Sequence, residues 1–405
     1  MPVHLPSQPD ASPLDGVGFR ALLGRTLPRL IERLGDDAWP GHVQDELYAA
    51  VACGDPEEGF LWVSCDDCGV HRLVAVSCKG RGFWSCATPA CCGGRRMAQG
   101  AANLVDDLLP RVPVRQWVLS MPIRVRLALT FRPDLVQRAL AIVVRRLQAY
   151  YRKKTSGQTG LVTAIQRFGS SLNLNVHFHI LALDGGYYHD DQGRLQFRAS
   201  RPPRQDELAR MVQDIGRRLE RLVNRAEADD EPDPHRQLQL LAATGGDVTD
   251  PAHRPPRRFE PSQRFRRYEA SYGYFSLEAG SRTGAQDRRG LERLCRHILR
   301  PAVALSRLGI DREDRVVLTL RHPWRDGTTA LRFEGGDYVN DFVARLAALV
   351  PPRGQHTVRY HGVLAPASPL RRKVVVVRVP RTQARRCSAK DVDPLGSVGA
   401  QNIRP

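Results

Sequence analysis

Asn173-Leu174-Asn175-Val176-His177-Phe178-His179-Ile180-Leu181-Ala182-Leu183-Asp184-Gly185 is the stretch from which the rest of the chain can be read. Apolar residues alternate on both sides of the two histidines, no helix signal interrupts them, and the turn-prone Asp184-Gly185-Gly186 comes next. The spacing predicts a buried strand ending in a turn. Side chains i and i+2 of a strand share a face, so His177 and His179 project together while Val176, Phe178 and Ile180 pack the other side. Two imidazoles at that spacing can bind one metal ion. The competing reading is a pair of core histidines satisfied by backbone hydrogen bonds.

The flanking segments build a sheet around this strand. Arg115-Gln116-Trp117-Val118-Leu119-Ser120-Met121-Pro122 reads as a strand closed by proline. Residues 133–154 place Leu135, Ala139, Ile142, Val143 and Leu147 at helical spacing with arginine-rich outer faces, an amphipathic helix. Residues 160–168, with Val162-Thr163-Ala164-Ile165-Gln166, read as a second strand. Strand, helix, strand, strand opens an antiparallel sheet backed by helices, an α+β arrangement. Gln166 on the neighbouring strand is the candidate third metal ligand, against the reading of a hydrogen bond within the sheet.

Composition sets the class of partner. Lys and Arg outnumber Asp and Glu by 61 to 43 over 405 residues, giving a formal charge of +18 and a pI near 10.1. A folded protein that basic points to a polyanion, nucleic acid above all, although part of the arginine excess belongs to an arginine-rich composition. A 42% hydrophobic content supports real cores. No apolar run reaches the length of a membrane span and the first residues lack a signal-peptide pattern, so the expected compartment is the cytoplasm.

Six of the nine cysteines fall between Cys65 and Cys92. In a reducing compartment such clustering, with Cys-x-x-Cys spacing, favours zinc over disulfides. Cys65-Asp66-Asp67-Cys68-Gly69-Val70-His71 reads as a zinc knuckle, its glycine permitting the tight turn. Cys65 and Cys68 form one half of the site; Cys86 with Cys92 is the favoured other half, Cys91 is an alternative, and Cys78 is either a small core residue or a further ligand. A structural zinc lets a short, loop-rich module fold, and Lys79, Arg81, Arg95 and Arg96 around it suit a DNA-backbone contact.

The remaining segments alternate helices and strands. A helical lead-in carries Phe19, Leu22, Leu23, Leu27, Leu30, Ile31 and Leu34 at helical spacing. A helix is expected at 206–228, a proline-rich surface linker or insertion at 229–263, a strand over 272–277 placing Tyr272 and Tyr274 on one face, and a helix at 286–300 stopped by Pro301. Strands at 316–320 and 330–333, a helix at 337–349 and a basic run at Arg371, Arg372 and Lys373 complete the chain.

Several runs together resemble the insertion-sequence-91 family of HUH transposases, the two-tyrosine type with an N-terminal zinc-binding domain. They are Ser77-Cys78-Lys79-Gly80-Arg81-Gly82-Phe83, Cys92-Gly93-Gly94-Arg95-Arg96-Met97, Ile165-Gln166-Arg167-Phe168-Gly169-Ser170 and the His177 strand. Pro323-Trp324-Arg325-Asp326-Gly327-Thr328-Thr329 and Arg359-Tyr360-His361-Gly362-Val363-Leu364-Ala365-Pro366 continue the match in order, over roughly residues 45–370. The resemblance implies a zinc-ribbon-like module followed by an HUH nuclease core. It divides the chain into a lead-in (1–44), a zinc-binding DNA-contact domain (45–110), the transposase core (111–305), a C-terminal family region (306–370) and a basic, weakly structured tail (371–405).

The chemistry it implies is transesterification of single-stranded DNA at the ends of an insertion sequence. Mg²⁺ or Mn²⁺ on His177 and His179 polarises the scissile phosphate, and a tyrosine attacks to leave a 5′-phosphotyrosine and a free 3′-hydroxyl. The partner is DNA, and a bacterial protein of this kind is nucleoid-associated when bound.

The chain departs from the family at the nucleophile. In Leu291-Glu292-Arg293-Leu294-Cys295-Arg296-His297-Ile298-Leu299-Arg300-Pro301 the tyrosine position is His297, and the position one turn earlier is Arg293. The family often has histidine where Glu278 stands, and an insertion near Ala87 to Ala90 breaks up the second cysteine pair. Three accounts are open: a remnant that binds DNA ends without cleaving, a substitute among Tyr272, Tyr274, Tyr268 and Tyr360, or His297 itself forming a transient phosphoramidate. A regulatory DNA-binding protein and a replication initiator are the other classes, the cysteine-rich front half arguing against the initiator.

Overall fold

The computed structural model describes residues 3–6, 10–34, 39–65, 69–76, 84–85, 92–228, 267–324, 326–333, 339–351 and 354–375. The proline-rich stretch expected at 229–263 and most of the basic tail lie outside the described residues.

A seven-stranded antiparallel sheet forms the centre. Its strands are β6 (Val114–Ser120), β7 (Gly160–Phe168), β8 (Leu174–Leu183), β11 (Glu269–Tyr272), β12 (Phe275–Glu278), β13 (Arg282–Thr283) and β18 (Val358–Gly362). The order is β11-β12-β6-β8-β7-β18, with β13 beside β6. β8 lies in the interior and is covered on both faces, which is why it reads as a nearly continuous apolar run broken only by its polar positions.

Alternation along β8 sorts its side chains as the sequence predicts. Val176, Phe178 and Ile180 join Trp117 and Ile165 in a core under α4 (Ile123–Phe131), α5 (Pro133–Thr155) and α6 (Gln205–Ala228). The other face sets Val114, Val162, Ala164 and Leu181 against α3 (Cys92–Ala102), its π-helical continuation (Asn103–Leu108) and α7 (Arg288–Leu299). α5 obeys the polarity rules of a stable helix: Pro133 in its first turn, Asp134 beside it, and Arg152, Lys153 and Lys154 in its last turn. α4 falls in a segment that sequence patterning leaves unassigned, because its nine residues are too few to show a clear period.

The turn expected after β8 is a single bend at Asp184. Gly185 and Gly186 already belong to β9 (Gly185–His189), which pairs with β10 (Leu195–Ala199). A Cβ on Gly185 would run into the Arg198 carbonyl and the Phe197 ring, so close backbone approach requires the glycine.

The lead-in and the C-terminal region, expected as separate parts, share one sheet. β1 (Val3–Leu5), β17 (Ala330–Phe333), β16 (Val316–Thr319), β15 (Leu308–Asp311) and β2 (Ala11–Pro13) pair in that order. α1 (Gly16–Leu34), α2 (Gly41–Ala52) and α8 (Val339–Leu349) cover this sheet, with Phe19 edge-on to Phe342. The apolar stripe of α1 announces that the helix must be buried, and only tertiary contact identifies the partner. A short parallel pair, β5 (Trp84–Ser85) with β14 (Val303–Ala304), ties the cysteine-rich segment to the chain just beyond α7.

The single strand expected over 272–277 is a hairpin. Tyr272 ends β11, Gly273 turns with φ +55°, Tyr274 sits in the turn and Phe275 starts β12. Tyr272 and Tyr274 therefore do not share a strand face.

Candidate functional site

The two histidines stand on the sheet face covered by α7. Their ring centroids are 4.8 Å apart. His177 donates from Nδ1 to the Asn175 carbonyl at 2.8 Å, which places its lone pair on Nε2. His179 sets Nδ1 2.6 Å from the Gln116 amide nitrogen, and its buried Nε2 has no partner. Half a turn of that amide, which preserves its shape, sets Oε1 against an Nδ1–H and leaves Nε2 as the lone-pair atom.

Gln166 lies directly opposite His177 in the β7–β8 register. Its Nε2 donates to the carbonyl of Ile298 at 2.8 Å and more weakly to that of His297 at 3.4 Å, tying the end of α7 to the sheet. Its Oε1 is buried without a partner. Two imidazole nitrogens and an orphaned amide oxygen on one face fit a divalent ion, and all three donors are neutral. Among the described residues no three His, Cys, Asp or Glu side chains are close enough together to hold an ion.

α7 brings His297 to the same place. Asp287 caps the helix by accepting from the Gly290 amide at 2.8 Å, and Leu291, Cys295 and Ile298 bury its inner stripe. On its last turn the His297 ring sits 5.7 Å from that of His179, centroid to centroid, with Arg300 Nη1 2.8 Å from His297 Nδ1 and 3.1 Å from Nε2. Arg293, one turn earlier, is exposed on the helix.

Burial dominates the electrostatics. It lowers the His177 pKa to about 4, helped by Arg126, Arg300 and His297, and that of His179 to about 2, helped by His177, His297 and Arg300. Loss of solvent and the charges of Arg300 and Arg321 bring His297 to about 4, although part of its ring stays exposed. All three rings are neutral at pH 7, the form that binds a metal or attacks phosphorus.

These shifts carry a pH prediction for metal-free protein. An unfolded histidine takes up a proton near its ordinary 6.5, whereas folded His179 resists until about 2. Its contribution to stability is whole above 6.5 and lost as pH falls through that interval. Replacing His179 with glutamine should flatten the decline of the urea midpoint between pH 6.5 and 4; parallel profiles for variant and wild type would refute it.

The tyrosines proposed as substitutes lie elsewhere. Tyr272 and Tyr268 pack against the core on the opposite face, where Tyr272 meets Arg217 of α6. Tyr274 is exposed in its turn. Tyr360 shares the histidine face but stands opposite Val162, four residues along β7 from Gln166, a displacement of about 13 Å. Glu278 occupies the row Glu278–Val118–His179, two strands from His179.

Cys65, Gly69 and Val70 lie between two paired strands, β3 (Phe60–Ser64) and β4 (His71–Ala75). The Cys65 amide donates to the Val70 carbonyl at 3.0 Å, the Gly69 amide to the Cys65 carbonyl at 2.9 Å, and Gly69 adopts φ +65°. Cys68, Cys78, Cys86, Cys91, Lys79 and Arg81 lie outside the described residues. Arg95 and Arg96 are exposed on α3. Cys92, the first residue of α3, is buried with its Sγ 3.2 Å from that of Cys53 at the end of α2. Cys53 is the thiol that sequence reasoning missed. It lies twelve residues before the cysteine cluster, and nothing local marks it except the adjoining Gly54.

This architecture, an antiparallel sheet backed by helices with a cysteine-rich module before it, defines an α+β class of protein. Residues 160–372, more than half of the chain, match a Y2-type transposase family model. Residues 24–121 match the transposase zinc-binding domain model of the insertion-sequence-91 type. The chain belongs to this transposase family, with an N-terminal zinc-binding domain. No curated protein and no solved structure matches it. Among the described residues no helix is long and apolar enough to cross a membrane.

Proposed function

We propose that the protein binds single-stranded ends of an insertion sequence across His177, His179 and Gln166, and that it holds them without tyrosine-mediated cleavage. The observation that carries this reading is the His297 ring beside His179, at the helix position where the family presents its nucleophile. Strand cleavage and rejoining in a rolling-circle-type cycle is the family chemistry from which this chain departs.

The residues divide the work. His177 and His179 present neutral nitrogens, the Asn175 carbonyl and Gln116 fix their orientation, and Gln166 both supplies an oxygen and tethers α7. A divalent ion held there would act as a Lewis acid on a phosphate oxygen. Two nitrogen donors favour Mn²⁺ over Mg²⁺, which prefers an all-oxygen shell. Manganese is therefore expected to strengthen binding of a single strand more than magnesium does, measured by fluorescence anisotropy; equal effects would argue against the imidazoles as ligands. Zinc belongs to the N-terminal module, where Cys65, Cys68, Cys86 and Cys92, with Cys91 as the alternative, are the candidate ligands, joined by Cys53.

A second reading rests on the neutral state of His297. An unprotonated imidazole nitrogen can attack phosphorus, break the P–O3′ bond and leave a phosphoramidate, the 3′-oxygen taking a proton from water. Protein incubated with Mn²⁺ and single-stranded oligonucleotides from its element ends, resolved on a denaturing gel, separates the readings. Binding with no adduct supports the first. An acid-labile adduct mapped to His297 supports the second, and an adduct on any tyrosine overturns both.

A further inference from the structure

Four arginines on the helices meet a carboxylate. Arg146 and Arg218 pair with Asp214, Arg210 with Asp206 and Arg296 with Glu292. Arg126, Arg300, Arg307 and Arg321, whose charges reach His177, His297 or one another, form no ion pair with any described Asp or Glu, although Arg126, Arg300 and Arg307 are half-buried. Half-buried guanidinium groups without a counter-ion are costly to keep unless something anionic binds them.

Their positions are fixed by the fold. Arg126, on α4, donates from Nε to the Met121 carbonyl. Arg300 comes directly after α7, lies against His297 and faces the Phe168 ring at 5.8 Å. Arg307 ends the 3₁₀ turn Leu305–Arg307 and is held by the Thr319 carbonyl at 2.8 Å and the Ser170 carbonyl at 2.6 Å. Arg321 lies just past β16. The last two belong to the five-stranded sheet, so this sheet and the central one both contribute charge to the rim. Burial, with Arg321 adding to it, lowers Arg300 and Arg307 to about 10, and the charges of Arg126 and Arg300 reach His177.

We infer that Arg126, Arg300, Arg307 and Arg321 hold successive phosphates of one DNA strand and carry it across the histidine pair. This rests on the strand-binding function proposed above and moves the principal backbone contact from the basic residues of the zinc module to the junction of the two sheets. Arg300 spans both roles: its guanidinium touches the ring at the nucleophile position and presents a planar donor edge to the phosphate beside it. The five-stranded sheet is then a wall of the binding site as well as packing for α1.

Salt-dependent binding tests this. A fluorescein-labelled single-stranded oligonucleotide is titrated with full-length protein over a salt series, for wild type, for each Arg→Gln variant and for the fourfold variant. Each substitution is expected to reduce the slope of log affinity against log salt by about 0.7, and the fourfold variant to lose on the order of 100-fold in affinity at low salt. The fourfold Arg→Lys variant should keep most of the slope, and Arg218→Gln on α6 should leave it unchanged. Melting curves confirm that each variant folds, and the single variants keep the test valid if the fourfold one does not. Wild-type slope and affinity in folded Arg→Gln variants would overturn the inference while leaving strand binding intact. Wild-type protein that fails to bind the oligonucleotide would overturn the strand-binding reading itself.

Discussion

Replacing Asp184 with alanine is expected to cost about 3–5 kcal/mol, enough to unfold much of the protein. Asp184 is buried at the bend after β8 and is surrounded by donors. Arg115 grips it with Nε at 3.0 Å and Nη2 at 2.9 Å, Arg282 Nε reaches it at 2.8 Å, and the Tyr151 hydroxyl donates at 3.2 Å. The network continues through Trp117 Nε1, which donates to Tyr151 at 3.0 Å, and through Arg115 Nη1 to the Ala279 carbonyl at 2.8 Å. Burial alone would lower the Arg115 pKa, but the hydrogen bond and charge of Asp184 outweigh it and raise it. Removing the carboxylate strands the Arg115 guanidinium in a dry interior, which is costlier than losing the pair itself. Arg282, 41% exposed at its side chain, can turn to water, so Arg282→Gln should cost well under half as much. Urea denaturation measures both, and an Asp184→Ala midpoint close to wild type would refute the account.

The second large effect concerns chemistry. His297→Tyr should convert a protein that forms no tyrosine-linked adduct into one that does, in Mn²⁺ with single-stranded element ends. The helix cap, the Gln166 tether and the apolar stripe that aim His297 at His179 are independent of the side chain at 297, so a tyrosine there inherits the geometry. Arg300, already in contact with the ring at that position, would favour the phenolate of the new side chain. Adding His177→Ala and His179→Ala to His297→Tyr should abolish the adduct, because the proposed metal donors are gone while the tyrosine remains. A His297→Tyr protein that binds DNA yet forms no adduct would mean that more than the nucleophile has been lost.

Several elements were legible from local pattern, for stated reasons. Period-two alternation in β8 fixed which face carries His177 and His179, because a strand leaves no other choice. The helix expected at 286–300 was bounded by the proline at 301. The positions that the resemblance assigns to tyrosine hold His297 and Arg293, a difference that can be read in the sequence alone. The hairpin at Gly273 was misread because Tyr272-Gly273-Tyr274-Phe275 is aromatic enough to resemble one strand. A glycine of positive φ differs from a strand glycine only in whether the chain beyond it turns back, and that depends on the pairing of β12 with β6.

By itself, then, the sequence determined the α+β class, the cysteine module and the paired histidines, all properties of residues close together along the chain. The tertiary structure decided what depends on distant partners. It paired β1 and β2 with strands about three hundred residues away, set Cys53 against Cys92, buried Asp184 between Arg115 and Arg282, and brought the charges of Arg126 and Arg300 to His177 and those of Arg300 and Arg321 to His297. None of these has a local signature: an arginine, a thiol or a short strand looks the same in sequence whatever folds against it, and its role comes from charge and burial that arise only when the chain closes on itself.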